Sequence, residues 1–187
     1  RQHRLVLVPV STIHRLGESP TVATDPLVPA SFCVPPVFET DTFRLRMLTV
    51  NDVVKDFDAV VSSGAHIADV WPESKWPEGL TLEQNLIDLG WHQKEFQLRT
   101  SFAYTVVTLD ETQVVGCVYI YPTTKVGFDA EVYLWTRPPE QVGDLDRAML
   151  KRAVTQWLAD EWPFQVPAFP GLEIGWDDWV SLAEAQR

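Results

Sequence analysis

Cysteine is scarce: Cys33 and Cys117 are the only two in 187 residues. That is too few for a disulfide framework or a cysteine-based zinc site. The four histidines, His3, His14, His66 and His92, show no metal-ligand spacing, so no metal site is expected. Positive charge is also short, with 15 Lys and Arg against 26 Asp and Glu and a formal net charge of −11. With no basic face to neutralise phosphates, sequence-independent nucleic-acid binding is excluded, and the acidic field favours cationic partners such as amines. No apolar run reaches the length that spans a bilayer, so no membrane partner is expected. Leu5 to Val10 follows basic residues, but it is too short for a signal peptide and Pro9 interrupts it. The expected setting is reduced and cytoplasmic.

What is present is apolar and aromatic. A 45% apolar content and eight tryptophans predict a packed globule, and the length suits one domain with a substantial core. Residues 1 to 37 stand apart as an extended arm carrying Pro9, Pro20, Pro26, Pro29, Pro35 and Pro36. The apolar content of the arm predicts docking, either on its own domain (38 to 187) or on a second subunit, which makes a homodimer an expectation. Cys117 lies in an apolar run and reads as core.

Phe43 to Leu48 alternates apolar and charged residues as a strand does, and Val53, Val54, Phe57, Val60 and Val61 follow at helical spacing up to Gly64. Trp71, Pro72, Trp76 and Pro77 mark a loop with large aromatic anchors. Thr81 with Gln84 forms a capping box that opens a helix to about Arg99. Leu82, Leu86, Leu89 and Phe96 are its expected buried face, with His92, Lys94 and Glu95 on the polar side. Two strands, Phe102 to Val107 and Val114 to Tyr121, flank a hairpin turn at Leu109 to Thr112.

The most informative stretch is FDAEVYLWTRPPEQVGDLDRAMLKRAVTQWLADEWP, from Phe128 to Pro163. It reads as a buried strand from Ala130 to Thr136, a polar turn after Pro138-Pro139, and an amphipathic helix from Leu145 to Trp162. Asp144 is its expected N-cap. A strand feeding a helix N-terminus is a ready anion site, because the first backbone amides are free and the dipole is positive there.

These residues resemble the core motif of the GNAT superfamily of acyl-CoA-dependent N-acyltransferases, in which the strand precedes Gln/Arg-x-x-Gly-x-Gly/Ala. Setting Arg147-Ala148-Met149-Leu150 on the helix opening puts Gln141 on the first motif position and Asp144 and Asp146 on the two glycine positions. A one-residue slide makes Gly143 the first glycine but leaves Glu140 and Leu145 in the other two places. The whole order β-α-α-β-β-β-α is similar to the family's.

The resemblance implies an α/β (α+β) fold, a mixed, mostly antiparallel sheet with helices on both faces. It implies acetyl-CoA or another acyl-CoA as co-substrate and a small-molecule or peptide amine as acceptor. It also implies that Leu134, Trp135 and Thr136 lend main-chain groups to the pantetheine arm. Gln141, Val142, Gly143, Asp144, Leu145, Asp146 and Arg147 then form the pyrophosphate loop. Glu131 is the implied general base, and Tyr133, Tyr119 and Tyr121 are possible proton donors. The family's C-terminal acid tyrosine has no counterpart, since no tyrosine follows Tyr133. Two readings stay open: an acyltransferase, and a catalytically degenerate domain of the same fold used for binding or assembly.

Overall fold

A computed structural model of the chain describes residues 25–72, 74–143 and 145–185. Six strands form one sheet in sequence order: β1 (Val37–Glu39), β2 (Arg44–Met47), β3 (Phe102–Val107), β4 (Val114–Tyr121), β5 (Ala130–Thr136) and β6 (Pro167–Ala168). Neighbours are antiparallel except β5 and β6, which run parallel. The helices are α1 (Val53–Ser62), α2 (Gly64–Ala68), α3 (Leu82–Leu98), α4 (Pro139–Val142), α5 (Arg147–Glu161) and α6 (Trp176–Ser181). A single 3-10 turn at Val50–Asp52 leads into α1.

Helices cover both faces, which is why β3 is buried at every position and β4 at all but its last. Along β5 the alternation of side chains divides the core. Val132 and Leu134 meet Leu150, Val154, Trp157 and Leu158 of α5, while Tyr133 and Trp135 join Cys117, Tyr119 and the residues of α1 to α3. Gly116 is required by close approach, because a Cβ there would lie 2.3 Å from the Trp135 carbonyl oxygen.

Residues 25–36 pack onto this body. Val28 is buried in the α5-side core, Arg99 Nη2 donates to the Pro29 and Phe32 carbonyls, and Tyr104 Oη donates to Pro35 O. The earlier part of the arm, through residue 24, lies outside the described residues.

The helices depart from the sequence pattern in an informative way. Leu82 and Leu86, expected inside α3, are 47% and 44% exposed, while Asn85, Leu89 and Glu95 are buried. In α1, Val54 and Val61 face out and Asp56 faces in. Polar residues turned inward on both helices mean that the layer between them and the sheet is partly polar. That layer is where the site lies. The N-cap of α5 also differs from expectation: Asp146, two residues after Asp144, accepts from Met149 N at 2.6 Å, and the helix starts at Arg147.

Candidate active site

The site begins where β5 and β6 part. Their pairing covers only Ala130 with Pro167 and Glu131 with Ala168, after which β6 ends. Arg137 N donates to Val115 O. Stepping back along β5 in twos, Trp135, Tyr133 and Glu131 also direct their main-chain groups at β4. Val132, Leu134 and Thr136 therefore direct theirs toward the opened edge. Of the three residues expected to lend main-chain groups there, Leu134 and Thr136 are oriented to do so, and Trp135 is turned to β4.

Glu131 and Tyr133 point to the same face, and the structure joins them: Tyr133 Oη donates to Glu131 Oε2 at 2.7 Å. Burial pushes the Glu131 carboxyl above its usual range, against hydrogen bonds from Tyr133 and Thr123 and the Lys125 charge, which pull it down. Burial and the Glu131 charge hold the Tyr133 hydroxyl firmly protonated. Aromatic rings wall the pair. Trp176 stacks on Tyr133 at 6.2 Å, Trp71 lies 5.8 Å from it and Tyr121 6.1 Å. The C-terminal segment supplying Trp176 is held by Lys125, whose Nζ donates to Leu182 O at 3.1 Å, and by Val126 N to Ala183 O.

The loop from β5 to α5 is built more by side chains than by free amides. Gln141 Oε1 accepts from Arg137 Nη1 at 3.0 Å, while Arg137 also reaches Val114 O, Ser62 Oγ and Asp58 Oδ2. This buried guanidinium ties β5, β4, α1 and α4 together, and sequence reasoning missed it. Its only signal was a charged residue ending an apolar strand. Val142 and Leu145 pack into the α5-side core, and Gly143 turns the chain at φ 62°. Gly143 N and Leu145 N are bonded to Pro139 O and Val142 O. Asp146 caps α5, and Asp144 lies outside the described residues.

Arg147 is the exception to this satisfied loop. Its Nε and Nη2 are buried without a hydrogen-bond partner among the described residues, and burial lowers its pKa, with Asp69 opposing. Buried guanidinium atoms short of acceptors are costly even on a half-buried side chain, so the first residue of α5 is suited to an oxyanion. A CoA diphosphate thus fits this junction through the Arg147 side chain, although the amide cradle of the motif is partly occupied by the Asp146 cap.

On the other side of Tyr121, polar residues of α1 and α3 face the sheet. Asp56 is buried and accepts from Asn85 Nδ2 at 2.9 Å. Burial pushes the carboxyls of Asp56 and Asp88 up to about 6. His92, expected on the solvent side of α3, instead places its ring 5.3 Å from Tyr119. Because the Asp56 pKa is raised in the folded state from 3.8, its contribution favours folding fully below pH 3.8 and is lost as pH rises through about 6. Asp56→Asn keeps an acceptor for Asn85 and removes the buried charge. It is expected to raise the melting temperature at pH 7 and to flatten the decline between pH 4 and 6, as thermal melts across that range will show.

Comparison with known proteins agrees with this geometry at the level of fold. No family model and no curated protein matches the chain. Solved structures do. The ribosomal-protein-S5-alanine acetyltransferase of Vibrio fischeri aligns over 65% of this chain and 66% of its own, at 18% identity and a TM-score of 0.51. The chain has the GNAT fold. A probable acetyltransferase aligns over 71% of this chain and 72% of its own at 12% identity and a TM-score of 0.53. A Salmonella typhimurium acetyltransferase that modifies the N-terminal serine of ribosomal protein L7/L12 aligns over 64% and 65%, at 12% identity and 0.50. The chain thus spans just under two thirds of the first of these relatives. The GNAT fold has the expected mixed, mostly antiparallel sheet with helices on both faces, and no helix among the described residues is long and apolar enough to cross a membrane.

Proposed function

We propose that this protein transfers an acetyl or other acyl group from acyl-CoA to an amine by direct attack. The observation that carries the reading is the Glu131–Tyr133 pair, a carboxyl raised by burial and held by a hydroxyl, set beside the opened edge of β5 on a GNAT fold. Acyl-CoA supplies an activated thioester. Leu134 and Thr136 offer main-chain groups to its pantetheine arm, and one of these amides stabilises the charge that develops on the acyl oxygen. Arg147 holds the diphosphate. Glu131 takes the proton from the attacking amine; the tetrahedral adduct then collapses with cleavage of the C–S bond, and CoA leaves as a thiolate that is protonated from solvent. Tyr133 orients that carboxylate; because its hydroxyl already donates to Glu131, it acts as a positioning residue.

The role of Tyr133 has a testable sign. Its hydrogen bond lowers the Glu131 pKa, so Tyr133→Phe raises that pKa. The acidic limb of the kcat/KM profile is expected to move to higher pH, with the alkaline limb unmoved. An unchanged acidic limb in an active variant would separate Tyr133 from the base.

The transfer itself is tested by incubating the full chain with acetyl-CoA and a panel of amines, following thiol release and confirming the acetylated product by mass spectrometry. Release that depends on the amine supports the reading. A second reading, a binding module of degenerate catalytic site, is favoured by the Asp146 cap. It predicts no amine-dependent release.

A further inference from the structure

A cavity of about 40 Å³ lies between α1, α3 and β4. Trp71, Trp76, Tyr119 and Tyr121 wall it, and Asp56 and Asp88 line it. Trp71 and Trp76 meet edge to face at 5.7 Å, and Trp71 meets Tyr119 at the same separation. The remaining lining includes Asn85 and His92 but no lysine or arginine. Neither Asp56 nor Asp88 is in an ion pair among the described residues, although Arg44, Arg46, Lys125, Arg137 and Lys151 elsewhere all are.

Buried carboxylates are ordinarily paired, because removing an unpaired charge from water is costly. Aromatic faces attract cations, and a desolvated cation–π contact is worth about 2 kcal/mol. The two features together, with Asp56 buried and Asp88 half-buried, make a box suited to a positive charge. Size then narrows the choice. At roughly 10–15 Å³ per water-sized occupant, the space takes about three heavy atoms. That suits a primary ammonium with a carbon or two and excludes a trimethylammonium head.

We propose that this cavity is a binding subsite for a primary alkylammonium group; on the acyl-transfer reading, which this part of the inference rests on, that ammonium belongs to the acceptor. Position supports the link. Tyr121 is shared, lining the cavity and standing 6.1 Å from Tyr133, while Trp71 touches both Tyr119 and Tyr133. A cationic amine anchored in the box therefore lies beside the Glu131–Tyr133 pair, so the subsite selects acceptors that carry a positive group.

The test is done on the full chain without acyl-CoA, so it stands apart from the outcome of the transfer assay. Ethylammonium chloride, ethanol and tetramethylammonium chloride are titrated at constant ionic strength, with tryptophan fluorescence and ligand-observed NMR as readouts. Saturable millimolar binding of ethylammonium is expected, with ethanol silent and tetramethylammonium at least about tenfold weaker. Asp88→Asn and, separately, Trp71→Leu should each weaken ethylammonium by about tenfold, within the range of one such contact. Thermal melts confirm that each variant is folded. Equal responses to ethylammonium and ethanol would overturn the proposal, as would undiminished ethylammonium binding in a folded Asp88→Asn.

Discussion

Glu131→Gln is expected to lower kcat by about 10²–10⁴-fold, the usual size of a lost general base. The substitution is nearly isosteric, and the glutamine carbonyl can still accept from Tyr133 Oη, so the packing of Trp71, Tyr121 and Trp176 around Tyr133 is preserved. KM for acetyl-CoA should change little, because the base acts on the amine in the transition state and not on the bound thioester. Steady-state kinetics on the variant decide the matter. A kcat within a few-fold of the parent would remove Glu131 from the reaction.

The largest effect on stability is expected at Trp157. It is buried in α5, stacks on Phe38 of β1 at 5.1 Å, and meets Tyr104 of β3 edge to face at 5.1 Å and Trp162 at 5.4 Å. One side chain thus fastens α5 to two strands distant in sequence. Trp157→Ala removes those contacts and leaves a cavity that rings on three sides cannot fill, at a cost of about 3–5 kcal/mol. For a chain of this size that lowers the melting temperature by about 6–20 °C. A loss under about 1 kcal/mol in calorimetry would mean that α5 does not pack as described.

Much of the fold was legible because buried strands and helix caps leave local signals. The alternation in Phe43 to Leu48, the capping box at Thr81 and the apolar run of β5 all correspond to elements of the structure. The strand positions of the candidate site were legible as one face. Glu131 and Tyr133, two residues apart, had to share a face. The misreadings fall where a helix faces a polar cavity. In α3 the pattern pointed Leu82 and Leu86 inward on the assumption that the buried face is the apolar one. The fold instead buries Asn85 and Glu95 and turns Asp88 and His92 to the cavity. Periodicity cannot tell which face is inside when carboxylates line it. The role of Arg137 was hidden for another reason: its partners Asp58, Ser62 and Val114 are remote in sequence, so only the tertiary structure brings them together. The Asp146 cap lay two residues beyond the expected Asp144 because the short α4 and the Gly143 turn take up the intervening chain.

The central claim, that the junction of β5 and α5 receives acyl-CoA, is tested most directly by calorimetric titration of acetyl-CoA into the parent protein and Arg147→Met. The methionine keeps the stem of the side chain and removes the buried guanidinium atoms that lack acceptors. The account predicts one-to-one binding by the parent. In the variant it predicts at least tenfold weaker binding together with an unchanged or higher melting temperature, since two buried polar atoms without an acceptor among the described residues have been removed. No binding by the folded parent, or equal binding by the variant, would contradict it.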